Sequence, residues 1–339
     1  MSRHSRPSLA DVARKAGVSP ALASLALRHK PGPSEASRRA VLLAADSLGY
    51  RVNTMASLLA KNRTHLIGAA LNLSQSFHVE AIDHVYQVAE DMGYNVLLSA
   101  VTASMPLDRA AAALISGSCE GVLIVGMHSV PPLLLTPPTD IPVAVIGHAL
   151  SDGTFDVVRT AGDVGVREAV DHLAALGHTR IAHIDGGERS GSDERRRGYV
   201  AGMTSHGWER LIRVCPGGNS EEDGLAGART LLRDDPSLTA IICYNDSCAI
   251  GAFQAAHEAG LRIPEDLSIV GYDNTPIAQT SHFDLTTVAQ DIPRLTAIAV
   301  RQLIASIEDP GRARGETVLP PHLIVRSTTG PARLAPAEG

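Results

Sequence analysis

Over the first fifty positions apolar residues recur at helical spacing. Beyond them, short unbroken apolar runs alternate with further helical stretches. Leu9, Val12, Ala13 and Ala16 repeat at three- and four-residue intervals, with Ser8 placed to cap the helix and Asp11 three residues on as an imperfect capping box. Gly17 stops that helix. Ser19 is placed to cap the next, whose first position is Pro20, where a missing N–H is harmless, and Ala21 to Leu27 follow. Two short helices joined through Ala16-Gly17-Val18 form the unit that lays its second helix in the DNA major groove, although helical hairpins also occur in soluble domains that bind no DNA. Lys30-Pro31-Gly32-Pro33 reads as a turn, after which Ser34 caps a third amphipathic helix through Val41, Leu42, Ala45 and Leu48, ended by Gly49-Tyr50. A short apolar helix is predicted over Thr54 to Ala60.

From His65 the pattern predicts strands at His65 to Leu71, Asn95 to Ala100, Gly121 to Val125, Val143 to Ile146, Arg180 to Ile184, Ala240 to Tyr244 and Ser268 to Tyr272. Helices are predicted at Val79 to Met92, Ala110 to Ile115, Asp163 to Leu176, Asp193 to Ser205, Gly224 to Leu232 and Ser247 to Ala259. Such alternation implies an α/β body of parallel sheets covered on both faces. No fixed-period repeat is present.

Charge changes the picture most. Residues 1–65 hold eleven Lys or Arg against three acids, a surplus of eight, so a chain of net charge −6 leaves fourteen net negative charges for the rest. A basic head on an acidic body suits a polyanion binder, because Lys and Arg displace counterions from phosphates, and the capped, periodic helices argue against a disordered basic arm. At 339 residues the chain suits two or three domains. Cys119, Cys215, Cys243 and Cys248 have no CxxC or Cys/His spacing and read as buried thiols in a reducing compartment. Neither a signal-peptide core nor a run of about eighteen apolar residues occurs, so a cytoplasmic protein without membrane contact is expected.

The segments DVARKAGVS, SEASRRAVLLAADSLGYRVN and MASLLAKNRTHLIG resemble the DNA-binding domain and hinge of the lactose-repressor (LacI/GalR) family of bacterial transcription regulators. The resemblance continues through GHTRIAHIDG (177–186), the stretch at 240–275, LTTVAQD (285–291) and LPPHLIVRSTTG (319–330). It implies a helix-turn-helix DNA-binding domain over 1–52, a hinge helix and linker over 53–63, and a two-lobed periplasmic-binding-protein-like domain over 64–339 for effector binding and dimerisation. One lobe would take about 64–160 and 291–320, the other about 161–290 and 321–330.

By that resemblance, the DNA-facing residues are Ser8, Ser19, Pro20, Ala21, Leu22, Ser24, Leu25 and Arg28 in the head, with Asn53, Ala56 and Leu59 in the hinge. The leucine at 59 would wedge into the central minor-groove step. Where the family pattern resembles TVSR, this chain has Leu22, Ala23, Ser24 and Leu25, so the guanine-reading arginine is a leucine. Arg14, Lys15, Arg28, Arg38 and Arg39 remain as phosphate ligands.

The same resemblance places Ser74, Gln75, Phe77, His148, Arg195, Asn245, Asp273 and Gln290 in the interlobe cleft, most of them just past strand C-termini, where open α/β sheets bind ligands. Planar multidentate side chains of this kind suit hydroxyl-rich ligands, so a carbohydrate or similar effector is expected. Each residue alone also suits a turn or capping role, especially Asn245 and Asp273. Gly147-His148 and Ala161-Gly162 stand where the family pattern carries aspartate-arginine and aspartate-asparagine.

Nothing supports catalysis: GxSxG, HExxH, GxGxxG and P-loop patterns are absent, and no cofactor, metal ligand set or catalytic residue is assigned. His178 and His183 read as packing or capping residues. The tail after Gly330 carries no heptads, so a homodimer is expected. Two functions follow. One is a repressor that grips a near-palindromic operator as a dimer under effector control; the other is a ligand-binding protein whose head binds DNA nonspecifically or contacts protein partners.

Overall fold

The computed structural model describes residues 7–50, 63–73, 75–135, 141–147 and 154–333. They divide into two compact units, residues 1–64 and 65–339.

The first unit holds α1 (Leu9–Ala16), α2 (Pro20–Leu27) and α3 (Glu35–Leu48). The Ser8–Asp11 pair forms a complete capping box: the Asp11 carboxylate accepts from the Ser8 backbone at 3.0 Å, so aspartate serves where glutamate is usual. Gly17 and Gly49 terminate α1 and α3 at φ +67° and +64°. Val12, Ala13, Ala23, Ala26, Val41, Ala44 and Ala45 form the core, and the small alanines let three short helices approach closely.

The second unit is built on two six-stranded sheets. The first contains β1 (Leu66–Leu71), β2 (Asn95–Ala100), β3 (Gly121–Val125), β4 (Val143–Ile146), β5 (Asp156–Thr160) and a late strand, β11 (Glu316–Leu319), all parallel in the order β11-β5-β4-β3-β1-β2. The second contains β6 (Ile181–Ile184), β7 (Val214–Cys215), β8 (Ala240–Cys243), β9 (Ser268–Asp273), β10 (Thr286–Ala289) and β12 (His322–Ile324), ordered β12-β10-β9-β8-β6-β7 with β12 antiparallel. The chain therefore passes from one sheet's lobe to the other's three times, after β5, β10 and β11.

Helices α4 (Ser76–Asp91) and α5 (Leu107–Ser116) flank the first sheet, joined by α10 (Ile292–Glu308), which returns to it after the second crossing. Helices α6 (Gly162–Ala175), α7 (Ser192–Ser205), α8 (Glu221–Asp234) and α9 (Asp246–Glu258) cover the second. Strand β1 shows how both faces are buried: Ile67, Ala69 and Leu71 enter one core and Leu66 and Ala70 the other.

Among the described residues, the strands and helices expected from hydrophobic pattern occur, with ends within three residues of those expected; the helix expected over Thr54 to Ala60 lies outside the described residues. The elements that pattern did not reveal, β5, β7, β10, β11, β12 and α10, include strands with polar residues inside. Asp156 of β5 is fully buried and accepts from Arg312 at 2.7 Å and Ser306 at 2.9 Å. Thr286 and Thr287 of β10 are likewise buried and hydrogen-bonded. A satisfied polar group can lie in a core, and alternation cannot announce it.

His178 bonds Thr239 Oγ1 and the Gly330 carbonyl, and His183 Nδ1 bonds the Ile242 carbonyl at 3.0 Å, so both act in packing. The four cysteines are free and buried. Among the described residues no helix is long and apolar enough to cross a membrane, and no cluster of side chains has the make-up of a metal site.

Candidate functional site

In the head, α2 turns Ala23 and Ala26 into the core and leaves Pro20, Ala21, Leu25 and Arg28 exposed, with Leu22 and Ser24 half-buried. Ser8 Oγ donates to Asp11 at 2.6 Å and Ser19 Oγ accepts from Leu22 N at 3.2 Å, so both hydroxyls are engaged as helix caps. Arg38 donates to the Ala26 and Lys30 carbonyls at 3.3 and 2.9 Å, tying down the end of α2. Among the described residues Arg14 pairs with Asp11, at an exposed position where such a pair contributes little, and Lys15, Arg28 and Arg39 are exposed. The outward face of α2 is thus largely apolar, with Ser24 and Arg28 as its hydrogen-bonding side chains. Asn53, Ala56 and Leu59 lie outside the described residues.

In the body, the C-terminal ends of the two sheets face a cavity of about 190 Å³. Gln75, Phe77, Arg195, Asn245, Asp273 and Gln290 all line it; Ser74 and His148 lie outside the described residues. Arg195, in the first turn of α7, is buried with its guanidinium carbon 3.6 Å from the centre of the Tyr272 ring and 4.4 Å from that of Tyr244. It donates to the Tyr244 carbonyl and lies 3.6 Å from Asp273 Oδ1, an ionic contact longer than a hydrogen bond. A desolvated cation between two rings gains about 2 kcal/mol from their quadrupoles, which holds the guanidinium in place.

Asp273 ends β9 at φ +104°, a conformation costing about 1–3 kcal/mol outside glycine, and accepts from Gln290 Nε2 at 2.8 Å. Burial pushes its carboxyl up to about 6, against the opposing pull of Arg195 and Gln290. Behind it, buried Asp246 accepts from Thr275 N, Thr275 Oγ1 and Thr287 Oγ1 at 2.7, 2.8 and 2.6 Å, fixing the loop after β9; burial, then the charge of Asp273, pushes it up to about 7.

Asn245 serves two purposes. Its Oδ1 accepts from Cys248 N at 2.8 Å and caps α9, while its Nδ2 donates to Asn219 O and to Gln75 Oε1, both at 3.1 Å. Gln75 belongs to the first sheet's lobe, so this bond spans the cleft. A second link between the lobes, Arg159 of β5 to Glu194 of α7 at 3.1 Å, is also mostly buried.

Several lining residues were missed from sequence. His78 is buried with Nδ1 2.7 Å from the Asn72 carbonyl, and burial lowers its pKa, so the neutral ring donates from Nδ1 and leaves Nε2 as an acceptor. A β-carbon at Gly126 would stand 1.8 Å from that Nε2, which explains the glycine. Tyr244 and Tyr272 directly precede Asn245 and Asp273. That adjacency was the available signal; Tyr244 lines the cavity, and both rings pack against the Arg195 guanidinium.

Residues 8–53 match the family "Bacterial regulatory proteins, lacI family" and residues 170–329 match "Periplasmic binding protein-like domain". The HTH-type transcriptional regulator DegA of Bacillus subtilis (strain 168) is 32% identical over 331 residues, covering 95% of this chain and 97% of its own. Among solved structures, the lac repressor dimer bound to operator and the anti-inducer ONPF superposes with a TM-score of 0.83 at 27% identity, over 96% of this chain and all of that one. The transcriptional regulator CelR in complex with cellobiose gives 0.72 at 26% identity, over 95% and 100%.

Proposed function

The chain belongs to the LacI family of bacterial regulatory proteins and is a DNA-binding transcriptional regulator, and on that premise we propose that it represses transcription as a homodimer. Two heads would grip a near-palindromic operator, and a small, hydroxyl-rich effector would enter the cleft between the lobes. The observation that carries this reading is the convergence of Arg195, Asn245, Asp273 and Gln290 on one cavity, with Gln75 reaching Asn245 from the opposite lobe. An effector that favours one lobe arrangement shifts its population and thereby the spacing of paired hinges, a coupling free energy between two sites. The operator-bound lac repressor dimer and the cellobiose-bound CelR support both halves of the reading. For the dimer, support comes from exposed Leu73, Val79 and Tyr86 beside Pro276, an apolar rim that a second copy would cover.

Selection of bound duplexes from a random pool at physiological salt tests the proposal. An enriched palindrome with a flexible central step supports the dimeric repressor. Retained, steeply salt-dependent binding without enrichment favours nonspecific association, for which the apolar Leu25 on α2 is the motive.

A further inference from the structure

We propose that the effector carries an anionic group, a carboxylate or phosphate on a single-ring polyol, and that Arg189 receives it. This rests on the cleft being the effector site. Among the described lining residues Asp273 is the one acid, and its charge is answered within the protein by Arg195 and Gln290. Arg195 is answered in turn by Asp273 and by two aromatic rings. Arg189 is left over. Its exposed side chain lines both the cavity and the adjoining depression at the mouth, and it has no hydrogen bond or ion pair among the described residues.

The neighbouring charges do not neutralise it. Asp223 feels its field but is spent on the Ser220 backbone and hydroxyl at 3.1 and 2.7 Å. At the mouth, Asp193 pairs with Arg196 and Glu194 with Arg159, while Glu188 and Arg197 line the same depression without an ion pair among the described residues and offset each other only in the count of charges. One positive charge therefore remains on an exposed side chain at the rim of the cleft, where it can offer a charge-assisted hydrogen bond to an entering ligand. The amides of Gln75, Asn219, Asn245 and Gln290 suit hydroxyls, and a cavity of about 190 Å³ admits one ring rather than two.

The test is titration calorimetry on the full chain with gluconate, glucuronate, galacturonate, glucose 6-phosphate and ribose 5-phosphate, each beside its neutral parent. An anionic member should bind at least about ten-fold more tightly than its parent, and Arg189→Gln should remove that preference without moving the melting temperature. The arm that binds identifies carboxylate or phosphate. Equal or tighter binding of the neutral parents, binding by no anionic member, or an anionic preference that survives Arg189→Gln overturns the inference. Failure of the cleft assignment itself would look different: Arg195→Ala would leave the affinity of every bound compound unaltered.

Discussion

Glu194→Gln, which keeps shape and removes charge, should loosen the closed cleft without unfolding the protein. Glu194 sits beside Arg195 in the first turn of α7, and its Oε2 accepts from Arg159 Nη1 of the other lobe at 3.1 Å. The two side chains retain only 9% and 16% exposure, so the gross attraction at an effective dielectric constant near 20 is roughly 5 kcal/mol. Much of that is offset by the hydration both groups surrender. The variant does not orphan the cation, because Arg159 Nε still donates to Glu316 of its own lobe at 2.6 Å. The net loss is therefore about 1–2 kcal/mol rather than the ~3–5 kcal/mol of an abandoned buried charge. It falls wholly on the arrangement that joins the lobes, raising the open population about 5- to 30-fold. Spin labels on Ala103→Cys and Arg233→Cys, one per lobe, read this as an interlobe distance distribution; the native thiols are buried, and burial raises Cys119, Cys215 and Cys243 away from the reactive thiolate. A longer component should appear in Glu194→Gln and not in Glu316→Gln. Identical distributions in wild type and Glu194→Gln would refute the reasoning.

Leu25→Arg restores a bidentate donor at a position 39% exposed on α2, and duplex selection should then show a new guanine preference in each half-site of about 1–3 kcal/mol; an unchanged preference would mean that this position does not face the bases. Asn245→Ala removes the cap on Cys248 N and should lower stability by about 1 kcal/mol in urea denaturation, whereas Gln75→Ala, which removes only the bond between lobes, should leave stability nearly unaltered. Burial holds His183 down at about 4, below its value in the unfolded chain, so its contribution to stability is complete above pH 6.5 and falls as pH drops from 6.5 towards 4, by at most about 3 kcal/mol. Denaturation at pH 7.5 and 5 should show a smaller acid loss for His183→Gln than for wild type, and equal losses would contradict it. Asp246, pushed up to about 7, works in the opposite direction, favouring the protonated fold between pH 4 and 7, so the comparison is between variant and wild type at each pH.

The head was legible because its determinants are local: Ser8, Ser19 and Ser34 cap, Gly17 and Gly49 stop, and the apolar stripe repeats within one helix turn, all inside ten residues of the groups they serve. The alternation of apolar runs and helical stretches likewise determined a parallel α/β body, since a strand buried on both faces is apolar wherever no partner satisfies a polar group. Strands β5 and β10 hid because Asp156, Thr286 and Thr287 are satisfied by residues up to 156 positions away, which no local window sees. The site divides the same way. Asn245 and Asp273 stand out as polar residues at strand ends, but that Arg195 packs against Tyr244 and Tyr272, that Gln75 reaches Asn245 over 170 positions, and that Arg189 lines the cavity without an ion pair among the described residues follow from where the two sheets bring their C-terminal ends. Propensity and capping act between neighbours in sequence, whereas charge balance and burial in the cleft are properties of distant segments brought together, and only the tertiary fold decides them.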